Sequence, residues 1–588
     1  MSSEFDILIK DATIVDGTGK PPFKGTIGVV GERITAIGEV KGDASEVIDA
    51  SGLTATPGFI DAHSHADENI LWYPKCESFV MQGITTFVGG QCGGSPAPLG
   101  EMVRVPHMLA NYLDQLDPHK YYPKPLYQLE QVNEWMEEKF GWTIDWKTMD
   151  GFFKRVEEKR ISANYAPLVG HGNIRFMVMG MDYKRHATQE EVDQMMENIH
   201  QAMKEKCLGM STGMDYVPDA FASQEEIIQC VAVLKDYDAV YSTHWRKSGL
   251  RRGLKVGAVL PDRINGIKEA IEVCRKTGVP LHISHIKAGY EISPRPPLSL
   301  QRANVQATLD VIDEARDEGL NVTFDWQLLP ENLLRLMPYL CGELTPWIRE
   351  TGSPERLAEF LKMEDYREEV KDAIFSGKWY VNYRYSPAMH PHWAENITVL
   401  KHVNQNYEGK SIAEISKLRE RDQLDTFFDL ISEDPYAMGG RFFESREWEK
   451  VFLNHPIASV CLDGLSFDDK YQQERPPYSF PKSGAYDGFV MMLVIYVKEQ
   501  KLFSIEEAVK KMTTKAAEAY KLKGRGKLKS GFYADIVLID MPNLKLMSDS
   551  LEQRRYPKGI EYVIVNGTKV VEKGEHTSAR PGKVLRRA

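Results

Sequence analysis

Three features of this 588-residue sequence predict an α/β chain: a parallel, TIM-like (β/α)8 barrel with insertions, plus a small β-sandwich domain formed by both termini. Between residues 58 and 526, short apolar segments alternate with helical patterns, the signature of parallel strands joined by right-handed crossovers. Both ends of the chain are instead rich in β-branched alternation. No Gly-x-Gly-x-x-Gly falls at a strand–helix turn, which disfavours a doubly wound open sheet, the next candidate.

The elements follow in order. DILIKDATIVDG, GTIGVVGERITAIG and SEVIDASGLTATPG read as short strands within residues 1–57. TTFVGG, DAVYSTH, PLHISH, NVTFDW and IASVCLDG read as barrel strands, each ending in polar or metal-binding residue types. SQEEIIQCVAVLKDY, NGIKEAIEVCRKTG and ANVQATLDVIDEARDEG carry the helical period between them. YADIVLID and GIEYVIVNGTKVVEKG return to strands within 527–588, with Asn566-Gly567 as a two-residue hairpin turn. Two stretches interrupt the alternation, near 101–150 and 330–395. Both are rich in Tyr, Trp and Pro, which suits segments that cap a site or form an interface.

The balance of charge narrows the function. A net charge of -11 argues against a nucleic-acid surface, which would need clustered Lys and Arg. No apolar run reaches the roughly 18 residues of a membrane span, and MSSEFDILIK does not read as a signal peptide. Seven scattered cysteines do not suggest a disulfide framework. The expectation is a cytoplasmic protein that acts on a small molecule and binds neither membrane nor nucleic acid.

In a parallel barrel, chemistry gathers where strands end. GFIDAHSH delivers His63 and His65, which point to one face of an extended segment. Taken alone they could be two hydrogen-bonded core histidines. GGQCGG delivers Cys92 between glycine pairs, YSTHWRKSG ends with His244, and LHISHIKAGY with His285. ASVCLDGLS delivers Asp463. His282, three residues before His285, faces the other side of its strand and reads as structural. Each position is weak evidence by itself. Four histidines, a cysteine and an aspartate at the strand ends of one barrel together predict a metal site. A thiolate among imidazoles suits Zn²⁺ better than Mg²⁺ or Ca²⁺, and Asp463 is placed to act as acid and base in hydrolysis.

The motifs GFIDAHSHAD, GGQCGG, LVGHGNIR, GMSTGMDYVP, STHWRKSG, ISHIKAG and LDGLS occur in that order. In this, and in the ending GKLKSGFYADIVLID, the chain resembles the N-acyl-D-amino-acid deacylases of the metal-dependent amidohydrolase superfamily, over nearly its whole length. The resemblance implies hydrolysis of the amide of an N-acyl-D-amino acid or a related N-acyl compound. It implies Cys92, His244 and His285 as ligands of a tight zinc, and His63, His65 and Asp463 as a second, weaker site. Cys92 matches the bridging cysteine of that family, and Asp463 its catalytic carboxylate. The strand-rich termini match its composite β-domain. Homo-oligomers are common among such enzymes.

One departure concerns the substrate. The family's arginine for the substrate carboxylate, aligned through Tyr486 and Phe489, falls on Gly484. Arg475, Lys482, Arg246, Lys287 and Tyr290 are the candidate replacements. His171, Ser211 and Thr212 lie in shared motifs and are candidates to line the pocket. The competing readings are a cyclic-amide hydrolase of the dihydroorotase or hydantoinase type, a deaminase and a barrel without catalysis. The cyclic-amide class normally uses a carboxylated strand lysine, against which Cys92 argues. A non-catalytic scaffold would be expected to lose ligands, and here all six positions hold competent groups.

Overall fold

The computed structural model describes residues 4–588 apart from 117–124, 248–262, 291–296, 329–334, 338–339, 377–386, 388–391, 442–449, 473–480, 482–483 and 550–551. Eight parallel strands form its central sheet: β1 (Phe59–Asp61), β2 (Ile84–Gly89), β3 (Asn164–Gly170), β4 (Gly209–Gly213), β5 (Val240–His244), β6 (Leu281–Ile283), β7 (Val322–Gln327) and β8 (Ala458–Cys461). Each pairs with the next in parallel register. The ring closes just past β1 and β8, where the Ala62 amide donates to Val460 O at 3.3 Å and the Asp463 amide to His63 O at 2.9 Å. That seam sets His63 beside Asp463, 400 residues away in sequence.

The strands are buried almost throughout because helices cover the sheet and side chains fill its interior. All six residues of β2 and all five of β5 are buried. The crossover helices start where the sequence offers caps. Thr188 and Glu191 form a capping box at Gln189–Lys204, and Ser223 caps Gln224–Ala232. The other two patterned segments fold as Arg263–Thr277 and Leu298–Asp317.

The two ends of the chain meet in one nine-stranded sheet. Its junction is the antiparallel pairing of Thr54–Pro57 with Ile536–Ile539. The latter strand explains its own continuous apolar run. Ile536 and Leu538 join the core of the terminal sheet, while Val537 and Ile539, on the opposite face, join the barrel core. Asn566 and Gly567 have φ of 48° and 75° and connect Val565 to Thr568, the mirror-image two-residue hairpin turn that Asn-Gly favours.

The stretch 101–150 projects between β2 and β3 and carries the helix Leu129–Phe140. The second excursion continues well beyond residue 395. Its described parts run from Arg335 to Arg441 and include Glu364–Ser376, Gln423–Glu433 and a three-stranded sheet. They pack around their own apolar core of Trp347, Leu357, Phe427 and Phe428. Leu-, Ile- and Phe-bearing helical periods after 395 belong to this unit and not to the barrel, a distinction that periodicity cannot make.

Residues 582–587 strap the end of the barrel opposite the predicted site. Leu585 N donates to Tyr165 O at 2.7 Å and Gly582 N to Ile161 O at 2.7 Å. The Arg587 guanidinium reaches the carbonyls of Met203, Cys207 and Tyr237 at 2.7, 3.3 and 2.9 Å. Arg586 pairs with Asp150 at 2.7 Å. Deleting residues 582–588 removes these bonds. It is expected to lower Tm by roughly 3–6 °C with little effect on activity; an unchanged melting curve would make the strap passive.

Candidate metal centre

The six predicted ligands converge at the strand ends that the topology brings together. Cys92 Sγ lies 3.3 Å from His63 Nε2, 3.5 Å from His244 Nδ1 and 3.7 Å from His285 Nε2. Asp463 Oδ1 lies 3.4 Å from His65 Nε2 and 3.7 Å from His63 Nε2. Two triads therefore share His63: His63, Cys92 and His285, and His63, His65 and Asp463, with the candidate ligand atoms of each within 4.8 Å of one another. His63 is fully buried, and its neighbours His244 and His285 are nearly so.

Backbone conformation delivers these groups. Cys92, His285 and Asp463 have φ of 55°, 37° and 54°, the left-handed region that costs an L-residue about 1–2 kcal/mol. Each turns the chain sharply out of its strand and over the mouth. Three such residues in one cluster mark a place where local stability is subordinate to side-chain position.

Neighbouring polar groups fix the rings. The His244 ring has its second nitrogen 3.4 Å from Asp215 Oδ2. Lys247 Nζ is 2.6 Å from His285 Nδ1, and Lys247 N donates to Asp215 Oδ1 at 3.1 Å. Asp325 accepts from the His285 amide at 2.7 Å, and His282 Nε2 lies 2.9 Å from its other oxygen. Gln327 Nε2 donates to Asp463 Oδ2 at 2.9 Å, so that carboxylate presents Oδ1 to the imidazoles. Burial alone would raise the Cys92 thiol, but His63 and His244 beside it hold its pKa well below the ordinary value. Burial and then Lys247 push His285 down to about 3. Cys92 is thus favoured as thiolate and His285 as neutral imidazole, the forms that bind metals.

The donor set fits a zinc ion. Bonds of about 2.3 Å to sulfur and 2.0–2.1 Å to nitrogen at a tetrahedral angle separate S from N by about 3.6 Å. The three S···N distances bracket that value. A half-buried thiol among imidazoles with no disulfide partner, every cysteine of the chain being free, is otherwise costly to maintain.

The other expected residues fare differently. His171 is fully buried. Its Nδ1 is 2.9 Å from Asp219 Oδ1 and its Nε2 faces Glu226 at 3.6 Å, so it stands behind the Cys92 loop and not in the pocket. Ser211 Oγ accepts from Gly93 N at 3.0 Å, and Thr212 bonds Tyr241 and Thr243; both are likewise buried behind the site. The Arg246 guanidinium is engaged by Glu269 at 2.9 and 3.3 Å and by two carbonyls. Tyr290 is 42% exposed and held through its backbone by Asn304. Lys287 follows His285 by two residues and is half-buried. Lys482 and Arg475 lie outside the described residues. Gly484 has φ 87°, and a Cβ there would stand 2.8 Å from Leu328 O. An arginine cannot be placed at that position without moving the backbone.

Sequence reading passed over Asp215, Lys247, Asp325 and Gln327. Two of them carried a signal. Asp325 is a carboxylate inside the apolar strand NVTFDW, and Lys247 follows His244 by three residues.

Comparison with known proteins agrees with this geometry. An N-acyl-D-aspartate deacylase of Alcaligenes xylosoxydans xylosoxydans is 29% identical over 99% of this chain and 95% of its own length. A D-aminoacylase of the same organism is 26% identical over 100% and 98%. The crystal structure of an N-acyl-D-glutamate deacylase from Bordetella bronchiseptica, with zinc and a phosphonate mimic of the tetrahedral intermediate, superposes with a TM-score of 0.66 at 25% identity. It covers 99% of both chains. The sequence profile of the amidohydrolase family matches residues 46–254 and 480–571, which span β1 to β5, the segment after β8 and the closing strands of the terminal sheet. With half of its residues under that profile, and His63, His65, Cys92 and His244 on the matched strand ends, the chain belongs to the amidohydrolase family.

Proposed function

We propose that the chain hydrolyses the linear amide of an N-acyl-D-amino acid or a closely related N-acyl compound. In this reading Zn²⁺ is held tightly by Cys92, His244 and His285, and a second, weaker ion by His63, His65 and Asp463. The observation that carries it is the position of Cys92 Sγ, 3.3–3.7 Å from three imidazole nitrogens and next to a carboxylate-bearing triad that shares His63. At a site held by these residues, zinc would supply a Lewis acid for the substrate carbonyl and lower the pKa of water. Asp463 Oδ1 takes a proton from the attacking water and returns it to the departing nitrogen, while Gln327 keeps the other oxygen turned away.

The names of the relatives supply the acyl-amino-acid class. Gly484 separates this chain from a simple transfer of their substrates. Arg246 is engaged by Glu269, and Lys287, half-buried on the β6 loop, is the candidate to meet a substrate carboxylate. Seven free cysteines agree with a reducing, cytoplasmic setting, and among the described residues no helix is long and apolar enough to cross a membrane.

The test is a zinc titration of activity on paired D and L N-acetyl and longer N-acyl amino acids. Turnover of D-substrates that rises with zinc supports the reading. Stoichiometric zinc with turnover of cyclic amides alone would overturn it in favour of a hydantoinase-like activity.

A further inference from the structure

We infer that His171 and Asp219, with Ser211, are positioning residues that hold the Cys92 thiol at the centre, although none of the three reaches the pocket. The inference rests on Cys92 being a metal ligand, as proposed above.

Cys92 leaves β2 through left-handed backbone, and Gly93 continues it at φ 73°. The Gly94 amide closes the turn locally by donating to Gln91 O at 2.9 Å, and its remaining support comes from neighbouring elements. The Gly93 amide donates to Ser211 Oγ at 3.0 Å, and Ser211 in turn donates to Gly90 O. The Gly93 carbonyl accepts from Asn173 N at 3.2 Å. The Asp219 carboxylate lies flat against the turn: a Cβ on Gly93 would stand 2.4 Å from its Oδ2. The same oxygen accepts from Gly213 N at 2.8 Å, and Gly213 is so close that its own Cβ would meet Cys92 O at 2.1 Å. Asp219 is therefore a wedge between the ends of β2 and β4, and the Cys92 peptide rests on it.

A carboxylate that is 1% exposed stays in place only if its charge is matched. His171 matches it at 2.9 Å from the first residue of helix His171–Met179. Glu226 faces the far nitrogen of His171 and is itself paired at 2.8 Å with Arg175, one turn along the same helix. Two carboxylates, one imidazole and one guanidinium, all buried, form a row that ends on the Cys92 loop. Apolar residues of similar size would pack that space at lower cost. What the charges add is a fixed direction: the wedge cannot slide without breaking a buried pair.

The test uses full-length apoprotein reconstituted with Co²⁺, whose thiolate charge-transfer absorption reports the sulfur–metal contact. Asp219→Asn keeps the shape of the wedge and an acceptor for Gly213 N but removes the charge. It is expected to weaken Co²⁺ affinity, measured by chelator competition, by about 10–100-fold and to diminish or shift the thiolate band. His171→Leu should do the same, and His171→Gln, which retains a donor for Asp219, should recover most of the loss. Ser211→Ala changes no charge and should weaken Co²⁺ binding several-fold; it decides the matter if the charge variants do not fold. Wild-type affinity and band in Asp219→Asn, or in Ser211→Ala where that variant must serve, would overturn the inference. Absence of the thiolate band in the parent protein would overturn the ligand role of Cys92, and this inference with it, whereas a parent band with unaffected variants would leave that role standing.

Discussion

Asp463→Asn is expected to lower kcat by about 10²–10⁴-fold with a far smaller change in KM, read in steady-state assays on the best D-substrate of the panel. The size follows from what one atom does. Oδ2 is held by Gln327 at 2.9 Å, and Oδ1 faces His65 and His63 at 3.4 and 3.7 Å. An asparagine keeps the acceptor for Gln327 and the volume of the side chain, and so keeps the fold of the β8 loop. It cannot carry a proton from water to the leaving nitrogen. The split matters more than the size. A residue that only bound substrate would raise KM and leave kcat, because the lost contact would be equal in ground and transition states. A kcat within threefold of the parent would remove Asp463 from the acid–base role. The partner variant Gln327→Leu should cost less, since it frees the carboxylate to rotate without removing it.

The legibility of this centre in the sequence was uneven for physical reasons. His63, His65, Cys92, His244, His285 and Asp463 could be found because a parallel barrel collects strand ends on one face. A chemically suitable residue after each apolar run is therefore a spatial statement. The seam between β1 and β8 explains why His63 meets Asp463, and no local pattern encodes that meeting. His171 misled because a histidine in a motif near the site looks like a pocket residue. Its burial between Asp219 and Glu226 depends on β4 and on helix Gln224–Ala232, which lie in other segments. Arg246 misled for the same reason: Glu269, its partner, sits on the helix after the next loop. Lys247 and Asp215 escaped notice because their role is to orient rings, and orientation has no sequence period. The excursion after β7 was underestimated because its helices have ordinary amphipathic spacing. Only their packing around Trp347 and Phe427 separates them from the barrel. The left-handed φ at Cys92, His285 and Asp463 had one visible trace, the glycines flanking Cys92 and following Asp463.

Those conformations make the second large effect a paired one. Cys92→Ala removes the sulfur that stands between three imidazoles. It is expected to weaken zinc binding more than about 100-fold, beyond what loss of an outer partner costs, and to take activity with it. Metal content after dialysis against a weak chelator checks this, and a stoichiometric, active Cys92→Ala protein would exclude the thiol from the centre. Cys92→Gly removes the same sulfur and should be as inactive. The two variants differ in one respect, the Cβ at φ 55°. In a strand or helix, alanine would be the more stable of the pair, because glycine loses more freedom on folding. Here the order should invert, with the metal-free glycine variant more stable by about 0.5–1 kcal/mol in denaturant titration, since only alanine carries the left-handed penalty. That inversion would measure directly what the chain gives up in stability to aim this side chain at the metal. If alanine proved the more stable, the loop would have to relax out of the left-handed region once the thiol is gone, and the position of Cys92 would be a consequence of its contacts with His63, His244 and His285 instead of a property of the backbone beneath it.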